Sequence, residues 1–154
     1  MSLVTAYNND PFVGHLSTPV SDSAFTRALI GNLPAYRKGL SPLLRGLEVG
    51  MAHGYFLLGP WTLLGPLRNT NMAAMAGLVA TIGLIMIATI CLSAYGMVTF
   101  DSDESGKSNE LKSAQGWSKF SGGFFIGATG AAFFAYLILT NLPIIQGLMQ
   151  GGLS

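Results

Sequence analysis

Two long runs of the chain carry no charged side chain. Residues 71–100 form an uncharged run of thirty, and residues 120–154 form one of thirty-five. A transmembrane helix needs about 20 apolar residues to cross the ~30 Å hydrocarbon core of a bilayer, so each run is long enough to span with some tilt. The pattern predicts membrane helices over 72–98 and 119–142, the second ending where Pro143 and the glycines behind it begin.

A third segment, residues 46–67, lies between Arg45 and Arg68 and is also long enough to cross. Glu48, His53 and Pro60 make it the least apolar of the three. The predicted fold class is an all-α membrane protein with three transmembrane helices and an irregular N-terminal arm on the cytoplasmic (stromal) side.

The remaining segments are polar or rich in turns, and the whole chain, 1–154, is expected to form a single membrane domain. The arm, 1–45, has four prolines that interrupt any long helix, although a short helix is expected near Ala24–Ile30. Its start lacks the basic and apolar regions of a signal peptide and is expected to be mature. Residues 99–118 form a polar loop and residues 143–154 a short tail.

Lysine and arginine positions predict the orientation. Seven precede the first helix or lie between the second and third, and Arg68 alone lies on the opposite side. The positive-inside rule therefore predicts a cytoplasmic N-terminus and polar loop, with the C-terminus on the other side of the membrane. The lone Cys91 cannot form an internal disulfide, no zinc-site spacing occurs, and a net charge of +1 offers no basic surface for nucleic acid.

Small residues recur at four-residue spacing on two of the predicted helices, which allows another surface to approach the backbone closely. One interpretation is that another helix packs against these positions. The other is that a flat, rigid ring lies in one of the shallow grooves that the small side chains leave. The positions are Gly46, Gly50 and Gly54 in the first helix and Gly123, Gly127, Ala131 and Ala135 in the third.

Glu48 and His53 are the ionisable residues of the first span, where a charge is unfavourable and needs a partner or a use. Glu48 can be an interfacial carboxylate near the helix N-terminus, and His53 a neutral imidazole bonded to a neighbouring helix; either can instead be a metal ligand. Five residues separate them by roughly 140° and ~7.5 Å along a helix, so they do not share one site. Separate axial ligation of metals already held in macrocycles is possible, and chlorophyll suits it. Gly50 and Gly54 would let such a ring lie close beside His53.

The segment 31–61, GNLPAYRKGLSPLLRGLEVGMAHGYFLLGPW, closely resembles subunit XI of photosystem I, the PsaL family of cyanobacteria. Residues 10–23, 94–96 and 116–128 resemble the same family. The resemblance implies a non-enzymatic subunit of the thylakoid or another photosynthetic membrane that binds antenna chlorophyll a and beta-carotene. It also implies contacts with photosystem I core and small membrane subunits, with lipid, and with copies of itself where photosystem monomers meet. Glu48 and His53 correspond to the family's axial chlorophyll ligands.

The loop after the first helix departs from one pattern of that family. Members with a calcium ion at the trimer interface carry an acidic residue just after GPLR, whereas this chain reads GPLRNTN, with Asn69 and Asn71. Neutral amides balance a divalent cation poorly, so no calcium site is predicted and the apolar tail is expected to pack against another subunit. The alternatives from other classes are a small membrane transporter or channel subunit, and a haem-binding redox subunit.

Overall fold

The computed structural model of the chain describes residues 23–100, 111 and 113–151. This part of the chain folds into four α-helices without any strand: α1 Ala24–Asn32, α2 Pro42–Leu64, α3 Ala73–Thr99 and α4 Ala114–Gly151. The all-α fold class is confirmed for these residues. The predictions made for residues 1–22 and for the polar loop at 101–110 lie outside them.

Serine side chains mark three of the helix starts. The hydroxyl of Ser23 accepts a hydrogen bond from the Thr26 amide at 3.1 Å, that of Ser41 from Leu44 at 3.4 Å, and that of Ser113 from the amide three residues on at 3.0 Å. Each satisfies an amide that has no partner inside the helix. Because of the Ser113 cap, α4 begins five residues earlier than the predicted start at residue 119.

The end of α4 also differs from the prediction. We expected the helix to stop at residue 142 and residues 143–154 to form a tail, but α4 continues through Pro143 to Gly151. Proline removes one helical hydrogen bond and disturbs the turn before it, yet helices in membranes tolerate this. In that turn the Asn141 amide donates to the Leu137 carbonyl at 2.8 Å and the Thr140 hydroxyl to the Tyr136 carbonyl at 2.9 Å.

The structure divides into two compact units, Met1–Gly39, which contains α1, and Leu40–Ser154, which contains α2 to α4. Within the second unit, α2 and α4 pack backbone against backbone. A Cβ added at one of three α2 glycines would overlap the α4 backbone, in the pairs Gly46 with Phe120, Gly50 with Phe124, and Gly54 with Ala128. Gly123 and Gly127 of α4 lie equally close to the backbones of Leu43 and Leu47.

These pairs advance together along both sequences, so α2 and α4 run parallel and in register. They also decide between the two interpretations of the small residues. The helix-against-helix interpretation is right for these positions, and the expectation that a ring lies on Gly50 and Gly54 is wrong. Both glycines are buried beneath α4 and leave no room for a ligand.

The helix α3 connects the other two and runs opposite to them. Gly77 near its start contacts Thr62 near the end of α2, and Gly96 near its end contacts Trp117 near the start of α4. The buried apolar core lies among all three helices and consists of Leu58, Leu78, Ile85, Phe124, Ala128, Ala132 and Ala135.

Two of the described helical segments are long and apolar enough to cross a membrane, Ala73–Thr99 and Ala114–Ile144. The third predicted span, residues 46–67, is helical over most of its length as α2 but does not meet the same criterion. Its glycines, together with Arg45, Glu48, His53 and Pro60, lower its hydropathy. The structure therefore identifies two candidate spans where the sequence predicts three.

Candidate functional site

His53 lies midway along α2 with its side chain exposed. Its Nδ1 lies 2.8 Å from the carbonyl oxygen of Val49, one turn earlier in the helix. A carbonyl only accepts hydrogen bonds, so Nδ1 carries the hydrogen of the neutral ring and Nε2 keeps its lone pair. Histidines that bind metals commonly hold their other nitrogen in this way, which fixes both tautomer and ring orientation.

A second contact orients the imidazole from the neighbouring helix. The ring of Phe124 on α4 lies 5.8 Å from the His53 ring, centroid to centroid, at an angle of 61°. This edge-on arrangement is favourable for aromatic rings. His53 is therefore held by its own helix through Val49 and by α4 through Phe124, before any ligand binds.

Two adjoining depressions surround this part of α2. The smaller, of about 280 Å³, is formed by Ala52, His53, Phe56 and Leu57. The larger is an apolar groove of about 580 Å³ between α2 and α4, and Ala52 and Phe56 belong to its wall as well. The other residues that line this groove include Leu47, Met51 and Tyr55 of α2, and Gly127, Gly130 and Phe134 of α4. We call these two depressions the His53 recess and the α2–α4 groove.

Glu48 lies five residues before His53 on the same helix and is half-buried. Helix geometry turns it roughly 140° away from His53, and it lines neither depression. The structure does not bring the two predicted ligands together, as expected. Nor does the described part of the chain contain a cluster of three or more His, Cys, Asp or Glu side chains that could hold a metal ion.

The single free imidazole nitrogen of His53 fits a metal ion that is already bound in a macrocycle. One neutral imidazole nitrogen cannot retain a free ion by itself, but it can fill the single axial position that a macrocycle leaves open. The wall around His53 is apolar, as the contact with such a ring requires. The residues present are therefore compatible with chlorophyll at His53.

Comparisons with known proteins identify the family of the chain. A model of the family "PsaL: Photosystem I reaction centre subunit XI" matches residues 3–144. The photosystem I reaction center subunit XI of Synechocystis sp. is 62% identical over 97% of this chain and 94% of its own length. The subunits XI of Thermosynechococcus vestitus and Gracilaria tenuistipitata var. liui are 59% and 58% identical, over 97% and 94% of this chain and 96% and 95% of their own.

The chain belongs to the photosystem I subunit XI (PsaL) family. The expected family is thereby confirmed. A PsaL-family protein is a non-enzymatic component of photosystem I, so other subunits of that complex are its partners and the thylakoid membrane is its location.

Two of the segments that resemble PsaL, 94–96 and 116–128, meet in the structure. The Trp117 ring packs against Tyr95 at 4.8 Å, stacks beside Phe100 at 6.3 Å, and meets Phe120 at 5.3 Å. A side chain at Gly96 would collide with Trp117. These residues hold the end of α3 against the start of α4, a role that their sequence spacing does not indicate.

The residues that position His53 could not be identified from the pattern of the sequence. Val49 and the apolar wall of the recess carry no distinctive chemistry. The one available signal was the four-residue spacing from Val49 to His53, because a helical histidine can reach the carbonyl one turn back. Phe124 lies on another helix and could be found only from the structure.

Proposed function

We propose that this PsaL-family chain crosses the thylakoid membrane three times, ligates two chlorophyll a molecules through His53 and Glu48, and joins photosystem I monomers. The observation that carries the proposal is the geometry of His53. Its Nδ1 is engaged by the Val49 carbonyl and its Nε2 lone pair is left for a ligand on an apolar, exposed face.

Helix direction supports three spans. α2 has 23 residues and is therefore about 34 Å long, comparable to the ~30 Å hydrocarbon core. It packs parallel and in register with α4, which is a candidate span. The helix α3 connects the two and runs in the opposite direction. An up-down-up arrangement puts the N-terminal arm and the polar loop on one side, which the excess of lysine and arginine assigns to the cytoplasm, with a lumenal C-terminus.

At His53 the imidazole Nε2 would be the axial ligand of a chlorophyll magnesium. Chlorophyll supplies the light absorption and excitation transfer, and the protein fixes the position and orientation of the pigment. The Val49 and Phe124 contacts hold the imidazole in place, and this preorganisation lowers the entropic penalty of binding.

Glu48 would ligate a second chlorophyll. Its separation from His53 along and around α2 supports a separate site, and the family resemblance supports the ligand role. A carboxylate oxygen is a hard donor of the kind magnesium prefers. The site lies closer to the start of α2 and therefore to the cytoplasmic surface.

We assign beta-carotene and lipid to the exposed apolar faces of the helices. On α3 these faces include Val79, Ile87, Ile90 and Val98. A contact between photosystem monomers is assigned to this subunit from the family resemblance and the charge-free C-terminal region. It would not depend on calcium, since Asn69 and Asn71 offer only neutral oxygens in the loop after α2.

The proposal is tested by purifying photosystem I that carries His53→Leu or Glu48→Gln and comparing chlorophyll densities in electron cryo-microscopy maps. Each variant should lose or weaken its own chlorophyll and retain the other. Leucine is favourable in lipid and preserves the helix, so the His53 variant should still assemble. Leu64→Met, at an exposed position of the same helix, is the control. Full occupancy beside residues 48 and 53 in both variants would contradict the proposal.

A further inference from the structure

We infer that the α2–α4 groove holds the isoprenoid tail of the chlorophyll at His53, an inference that rests on the proposed function. The groove is open along one side and is lined by apolar side chains and by two glycines of α4. No residue lining it carries a charge. Its chemistry therefore suits a hydrocarbon chain and offers no ligand for a metal.

The groove adjoins the His53 recess. Ala52 and Phe56 form part of the wall of both depressions. A macrocycle bound through His53 covers the recess, and a chain esterified to that macrocycle can pass over Ala52 and Phe56 into the groove without leaving the protein surface. This continuity ties the occupant of the groove to the ligand at His53.

The length of the groove favours a chlorophyll tail over a carotenoid as its occupant. On α2 the groove extends from Leu47 to Phe56, about 14 Å, and a further depression that shares Phe56 continues it to Gly59 on α2 and to Leu139 on α4, for about 18–20 Å in all. A C40 carotenoid is a stiff rod about as long as the ~30 Å hydrocarbon core, so roughly a third of it would extend beyond both depressions. A flexible C20 chain can be buried here for much of its length.

Gly130 provides the means to test this. It is exposed, it lines the groove, and an added Cβ would meet nothing within 4 Å. Gly130→Leu therefore fills the groove without straining the contact between α2 and α4, and leucine favours helix over glycine. Gly122 on the same helix is also exposed and equally open but lies outside the groove, so Gly122→Leu is a matched control.

The experiment compares intact photosystem I carrying Gly130→Leu, Gly122→Leu or His53→Leu, and the double variant of residues 53 and 130. The readouts are the cryo-microscopy densities of pigments and lipids, and the release of the His53 chlorophyll by detergent. Gly130→Leu should displace the tail density and speed that release about tenfold or more, the effect of exposing roughly two CH₂ groups. Gly122→Leu should leave both unchanged, and Gly130→Leu should remove no further pigment when His53 is already replaced.

Two results would overturn this inference alone. In the first, His53→Leu removes its chlorophyll but Gly130→Leu affects neither the tail density nor the release. In the second, Gly130→Leu removes a carotenoid or a lipid chain and leaves the chlorophyll in place, which assigns the groove to that molecule. If His53→Leu itself removes no chlorophyll, the proposed function fails, and this inference fails with it.

Discussion

The adjacent glycines Gly122 and Gly123 on α4 should respond in opposite ways to the same substitution. Gly123 faces α2, where an added Cβ would overlap the backbone carbonyl oxygen of Leu43 and lie about 3.0 Å from the Leu43 carbonyl carbon and the Leu47 amide nitrogen. Gly122 faces away from α2, and an added Cβ there would meet nothing within 4 Å. Alanine at either position brings the same gain in helix propensity, so the difference between the two variants isolates the packing between the helices.

The expected magnitudes follow from these distances. Replacing glycine by alanine in a helix stabilises it by about 1 kcal/mol, which is the whole effect expected of Gly122→Ala. At Gly123 the contacting atoms are backbone and cannot move aside alone, so the helices must separate, at a cost of roughly 1–3 kcal/mol. Gly123→Ala should therefore be about 1–3 kcal/mol less stable than Gly122→Ala.

The assay is a temperature ramp of purified photosystem I, with release of this subunit followed by native gel and immunoblot. The two variants should release the subunit at temperatures several degrees apart, because about 1 kcal/mol corresponds to roughly 2–4 °C for a domain of this size. Equal release temperatures would refute the packing of α2 against the glycine face of α4. The interpretation that a flat ring lies on these small residues would then have to be considered again.

Further predictions concern the aromatic cluster and calcium. Gly96→Val should displace Trp117 and lower the release temperature in the same assay, whereas Gly83→Val, at an open position of α3, should have a smaller effect. Chelation of divalent cations should leave the size of solubilised photosystem I oligomers unchanged, because the loop with Asn69 and Asn71 has no acidic ligand; dissociation that added calcium reverses would show that prediction to be wrong.

The helical segments could be predicted well from the sequence because uncharged runs of this length strongly favour membrane helices over other structures. The expected helix at 72–98 corresponds to α3, and the one at 46–67 overlaps α2 for most of its length. The ends of α4 could not be predicted from propensity. Ser113 caps the helix earlier than the apolar run suggests, and the helix continues through Pro143, whose position in the sequence predicts a helix end.

The candidate site, too, could be predicted from the sequence only in part. The separation of His53 from Glu48 follows from helix geometry and needed no coordinates. Two interpretations of the glycines beside His53 stay open from the sequence, since spacing alone does not distinguish a neighbouring helix from a flat ring. Which helix covers Gly50 and Gly54, and which rings orient His53, depend on the arrangement of α2 and α4 in space.

The most direct test of the account is the environment of His53 in a high-resolution cryo-microscopy map of the unmodified photosystem I. We expect a chlorophyll magnesium at ligand distance, roughly 2 Å, from Nε2, while Nδ1 remains hydrogen-bonded to the Val49 carbonyl. A His53 side chain bonded to a neighbouring helix through Nε2, with no magnesium beside it, would contradict the account.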